Sequence, residues 1–127
     1  MYIHFYGDGR DTSPTSGVTF LQQLIDYLKK EQYGEIATIV GRYYAMDRDK
    51  RWERIRVCYD AMIGGVGEKA TIDKAVDIIK GRYAKDETDE FLKPIIFGDE
   101  GRVKENNVLL RNVVTVAKKE TPFAAEE

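Results

Sequence analysis

A chain of 127 residues, 43% of them hydrophobic, has the size and composition of one ordinary globular domain with room for a buried core. Its 20 basic and 22 acidic residues give a formal net charge of -2, which argues against a nucleic-acid protein or a basic membrane-surface binder, since both need a sustained positive field. No apolar run approaches a membrane span of about 18 residues, no signal peptide is visible, and the single cysteine, Cys58, excludes an internal disulfide or a cage of paired cysteines around zinc, so a reducing, cytoplasmic setting is expected.

Residues 2–6 read as a strand that starts almost at the first residue, as in a piece of a larger protein. His4 lies in it, and with no second histidine it reads as a core or edge residue. The loop at 7–13 carries Arg10 beside Asp11. A guanidinium offers a fork of donors for a carboxylate or phosphate, and a neighbouring carboxylate accepts from hydroxyls; a turn capped by Asp8 or Asp11 explains the same residues equally well. Pro14, Thr15 and Ser16 are helix-start signals, and Phe20, Leu21, Leu24, Ile25 and Leu28 form an apolar stripe ending before Gly34. This helix reads as a right-handed crossover that brings a second strand, residues 36–40, parallel to the first.

The cationic charge is concentrated between Gly41 and Arg56. Arg42, Arg48, Lys50, Arg51, Arg54 and Arg56 stand there against Asp47, Asp49 and Glu53. Helical spacing begins near Asp49, with Trp52, Ile55, Tyr59 and Met62 on one face read as the core face, and with Cys58 read as a packing residue. Arg42 and Arg48 therefore fall in a strand-to-helix connection, where an open α/β sheet places its ligands. Two parallel strands would present Arg10, Arg42 and Arg48 at one sheet edge, with Arg54 and Arg56 further along the helix. A solvated charged face is the plainer alternative.

Further on, the glycines at 64, 65 and 67 read as a loop, since no strand leads into them. Thr71 can cap a third helix with Ile72, Ala75, Val76 and Ile79 inward. Four carboxylates at 86–90 read as a solvated turn rather than a metal site. Residues 95–97 read as a short strand, and 98–102 as a hairpin-type turn leading towards 108–110. The fold class is α/β, a three-layer sandwich with a mainly parallel sheet flanked by helices.

The motif GDGRDTSPTSG at 7–17 together with VGRYYAMDRDKRWERI at 40–55 resembles the phosphotransferase, or substrate-binding, domain of cofactor-independent phosphoglycerate mutase, in the alkaline phosphatase superfamily. YDA at 59–61, GGVGE at 64–68 and DETDEFLKP at 86–94 match in the same order. The resemblance covers residues 1–109, and 110–127 departs from it as a divergent tail. The two downstream arginines that help to hold substrate in the family are not identifiable there, and Arg111 is no safe substitute.

The resemblance implies interconversion of 2-phosphoglycerate and 3-phosphoglycerate through a phosphoserine intermediate, with two Mn2+ (or Mg2+) ions in the full-length enzyme. Serine and metal ligands would belong to a phosphatase domain missing from this chain, so no catalytic or metal-binding residue is assigned here, and the isolated chain is expected to be inactive. Substrate-binding roles carry over to Arg10 and Asp11 as a glycerate-holding pair, and to Arg42 and Arg48 as carboxylate and phosphate contacts. Asp8, Asp47, Asp49 and Arg51 are read as supporting or capping residues. The alternative is a truncated, non-catalytic module that binds small anions or a protein partner.

Overall fold

A computed structural model describes residues 1–108. Strand β1 (Tyr2–Gly7) is followed by helix α1 (Gly17–Glu31) and strand β2 (Glu35–Gly41). β1 and β2 pair in parallel, and the register ends with Gly7 opposite Gly41. The two loops that leave these strands therefore emerge side by side at one edge of the sheet.

A short helix α2 (Arg42–Ala45), helix α3 (Trp52–Gly64), a two-residue strand β3 (Glu68–Lys69), helix α4 (Ala75–Tyr83) and strand β4 (Ile95–Ile96) complete the fold. The sheet order is β1-β2-β4-β3. β4 runs antiparallel to β2 and parallel to β3, so the sheet is mixed. β2 is central, and every residue from Ile36 to Gly41 is buried, which is why its sequence is a continuous run without alternation.

Helices cover both faces. Leu21 and Ile25 of α1 and Ala75 and Ile79 of α4 pack with Ile36, Ile39, Leu92 and Ile95. On the opposite face Cys58 and Ala61 of α3 pack with Val40 and Ile96. The result is three layers, helix, sheet, helix. Each fully buried leucine or isoleucine contributes about 1.5–3 kcal/mol relative to its exposed state, and these clusters hold the sheet together.

Helix α3 is rotated from its expected orientation. Trp52 is 72% exposed and Tyr59 56%, while Cys58 and Ala61 face the sheet. Small side chains let the helix approach closely, and the two large aromatics, two turns apart on the other side, are left in solvent. Burial pushes the Cys58 thiol up to about 11, so it packs and carries little thiolate.

Helix α4 buries Ala75 and Ile79 as expected, but Ile72 lies in a preceding 3-10 turn and is exposed. The glycine-rich segment closes α3, with Gly65 left-handed and the Gly65 and Val66 amides donating to the Ala61 and Asp60 carbonyls. The strand that follows it, β3, has no apolar signal because both of its residues are exposed. After the turn at 98–102 the Val103 amide donates to the Met62 carbonyl, which lays the chain along the end of α3, and the stretch at 108–110 runs beyond the described residues. The tail at 110–127 lies outside the described residues.

Candidate functional site

The loops after β1 and β2 are joined by one guanidinium. Arg42 Nη1 donates to Asp8 Oδ1 at 2.6 Å and to Asp11 Oδ2 at 2.9 Å. Asp8 also accepts from the Arg10 and Asp11 amides, at 3.1 and 3.2 Å, which shapes the turn that carries Arg10. Desolvation alone would raise the Asp8 carboxyl, but the bonds from Arg42 and the two amides outweigh it and hold the group below its ordinary range. Asp8 thus ties the turn of the first loop to Arg42 at the start of the second.

Asp47 organises the second loop in the same manner. Its Oδ2 accepts from the Asp49 and Arg51 amides at 3.2 and 2.8 Å, and its Oδ1 accepts from Arg54 at 3.2 Å. Helix α3 begins at Trp52, directly after this turn. That start places Arg54 in the first helical turn, over the Tyr43 ring at 4.0 Å.

Between the loops lies a cleft of about 120 Å³, walled by Arg10, Arg42, Tyr43, Arg48, Arg54 and Glu90 together with Met46, Asp47 and Asp49. Arg10, Arg42 and Arg48 thus share one cleft, whereas Asp11 is 59% exposed at the side chain, bound to Arg42, and outside the cleft wall. Arg54 is a cleft residue; Arg56 is not, and it pairs on the surface with Asp60. Among the described residues Arg10 and Arg48 have no side-chain hydrogen bond or ion pair, so their donors are available to a ligand.

One side of the cleft, at Glu90, comes from a segment that the sequence reads as a solvated acidic turn. Asp89 is 1% exposed. It accepts from the Gly17 amide at 2.7 Å and from the Tyr83 hydroxyl, and its own amide donates to the Pro14 carbonyl at 2.9 Å. Helix α1 is therefore capped by a carboxylate 72 residues away, while Ser16 makes no side-chain cap. Burial raises the Asp89 carboxyl above its ordinary value, against the effect of those two bonds. Glu87 is equally engaged, accepting from Arg82 and the Lys93 amide, both at 2.9 Å.

The segment fits because glycines stand opposite it. A Cβ on Gly17 would sit 2.6 Å from Asp89 Oδ1, and one on Gly41 would sit 2.2 Å from the Glu90 carbonyl oxygen. Gly17 and Gly41 are needed for this close approach.

His4 is half-buried, with Nδ1 2.8 Å from Thr38 Oγ1, and burial lowers its pKa. It lies outside the cleft, as a strand residue with a satisfied ring nitrogen. Among the described residues no group of three or more His, Cys, Asp or Glu side chains is placed to hold a metal ion. The residues described here therefore do not fit the two-metal centre that the resemblance implies.

Residues 1–113 match the family model described as the BPG-independent PGAM N-terminus. The chain belongs to this family. 2,3-Bisphosphoglycerate-independent phosphoglycerate mutases of Onchocerca volvulus and Caenorhabditis elegans are 82% identical to it over 110 residues and 61% identical over 112. Each of these alignments covers 87% of this chain and 21% of the relative. A crystal structure of Leishmania mexicana phosphoglycerate mutase at low cobalt concentration superposes with a TM-score of 0.67 at 27% identity, over 80% of this chain and 20% of that one. The chain thus spans about a fifth of the length of the mutases it matches. No helix among its described residues is long and apolar enough to cross a membrane.

Proposed function

We propose that this chain is the substrate-holding part of a glycolytic phosphoglycerate mutase that interconverts 2-phosphoglycerate and 3-phosphoglycerate through a phosphoserine intermediate. The observation that carries the reading is the cleft between the two loops, in which Arg10 and Arg48 are unpaired among the described residues and Arg42 is held in place by Asp8 and Asp11. Arg10, Arg42 and Arg48 bind the carboxylate and phosphate of the ligand. Asp11 contributes through Arg42, fixing its orientation.

Such a site keeps glycerate oriented while the phosphoryl group is off it, so that the other hydroxyl can be rephosphorylated. Holding a reactant in place of a free encounter is a recognised source of rate enhancement, and it needs a rigid mount. The bonds of Arg42 to Asp8 and Asp11, and those of Asp47 to the Asp49 and Arg51 amides and to Arg54, supply that rigidity. The serine nucleophile and the two Mn2+ or Mg2+ ions belong to a phosphatase domain outside this chain, and the chain alone is inactive. A cytoplasmic location agrees with the unpaired thiol of Cys58.

Chemical-shift titration of the chain with 3-phosphoglycerate tests the reading. Arg10→Ala and Arg48→Ala should each weaken binding roughly ten- to a hundredfold, the usual loss of a charge-assisted contact, while Arg56→Ala should leave it unchanged. Binding that survives the first two substitutions and disappears with the third would overturn the assignment, as would manganese-dependent phosphate release by the pure chain.

A further inference from the structure

The cleft wall also holds Glu90, a residue of the DETDEFLKP stretch at 86–94 that the arginine cluster does not account for. A carboxylate among guanidiniums ordinarily pairs with one. Arg42 is engaged by Asp8 and Asp11, and Arg54 by Asp47 at 3.2 Å and Asp49 at 3.8 Å. Glu90 makes no side-chain hydrogen bond or ion pair among the described residues, although Arg10 and Arg48 line the same cleft. Among the described residues, three charged side chains lining this one small space, two cationic and one anionic, have no ion pair, whereas the Asp47 and Asp49 carboxylates that also line it are paired with Arg54.

The mount of Glu90 is rigid. Its carbonyl oxygen lies against Gly41 and its amide against Gly9, at distances that a Cβ on either glycine would not allow. The turn that carries it, Asp89–Phe91, is tied to α1 through Asp89 and to Tyr43 through the Phe91 ring, 5.1 Å between centroids. The fold therefore fixes the backbone from which the Glu90 side chain projects.

A carboxylate accepts hydrogen bonds and repels anions. The ligand that satisfies all three groups carries anionic groups for Arg10 and Arg48 and a hydroxyl for Glu90. Asp11, the acidic residue that the motif offers for a hydroxyl, is bound to Arg42 outside the cleft wall. We infer that Glu90 is a specificity-determining residue of this site, accepting the hydroxyl of a phosphorylated hydroxy acid and disfavouring simple anions. The inference rests on the phosphoglycerate-holding reading above and adds the group that selects for the hydroxyl.

The test is a titration of the full chain, by amide chemical shift, with 3-phosphoglycerate, with 3-phosphonooxypropanoate, which lacks only the hydroxyl at C2, and with inorganic phosphate. Wild type should prefer 3-phosphoglycerate to the deoxy compound by roughly tenfold, as for one hydrogen bond to a charged acceptor. Glu90→Ala should bring that ratio to about one and leave phosphate binding equal or tighter. Glu90→Gln preserves the side-chain volume, and should reduce the ratio severalfold even if the alanine variant does not fold. A ratio that survives both substitutions, or an equal loss for both organic ligands, overturns the inference while leaving the arginine site intact. Failure of wild type to bind 3-phosphoglycerate at all would remove the underlying reading and the inference together.

Discussion

Asp89→Ala probes how the fold holds its cleft. The carboxylate is 1% exposed and accepts from the Gly17 amide and the Tyr83 hydroxyl, so alanine leaves two donors without their acceptor. Each orphaned donor costs about 1–3 kcal/mol, and relief from burying a carboxylate offsets part of that. A net loss of about 2–4 kcal/mol at neutral pH follows, against a total stability of about 5–15 kcal/mol for a domain. The pH dependence has a definite sign. Burial raises the folded-state pKa of Asp89 above its ordinary 3.8, so the folded chain holds this proton more tightly than the unfolded one. The contribution is therefore full below the unfolded value and declines as pH rises through the window up to the raised value. The alanine variant has no such dependence, and the gap between the two proteins should widen on acidification through that window. Urea unfolding followed by far-ultraviolet circular dichroism, at pH 7 and below, measures it. A loss under about 1 kcal/mol at pH 7, or a gap that narrows on acidification, would refute the reasoning.

Trp52→Ala should cost under about 1 kcal/mol in the same assay, because a side chain 72% exposed has little buried area to lose; a loss of 3 kcal/mol or more, about the cost of deleting a buried tryptophan, would show it to be a core residue. Gly41→Ala should destabilise by about 1–3 kcal/mol or more, since its Cβ meets the Glu90 and Leu92 backbones at 2.2 and 2.6 Å, where no side chain can rotate away. Gly81→Ala, in α4 with nothing within 4 Å, should instead stabilise by about 0.5–1 kcal/mol, and chemical denaturation of the pair tests the close-approach explanation directly.

Local signals were strong where the chain had only one way to satisfy them. The run Ile36, Ala37, Thr38, Ile39 and Val40 can be buried on both faces only as a central strand, and the stripe of Leu21 and Ile25 can face only the sheet between its two parallel strands. The placement of Arg10, Arg42 and Arg48 at one edge follows from that parallel pairing, because strand ends that run the same way deliver their loops to the same side. The family was legible in the same two loops.

The sequence by itself therefore determined the strand-helix-strand frame, the edge at which the cations gather, and the family to which the chain belongs. Tertiary structure decided the rotation of α3, since its spacing allows both a face with Trp52 and Tyr59 and a face with Cys58 and Ala61, and only close approach to the sheet selects the small pair. It also decided the fate of the acidic segment. Four carboxylates in five residues look solvated until a partner 72 residues away is brought to one of them, and the Gly17 amide and the Tyr83 hydroxyl are what make a buried Asp89 tolerable. Glu90 and Arg54 enter the cleft for the same reason: whether a charge faces solvent or a shared space depends on contacts between distant parts of the chain, and no local pattern encodes them.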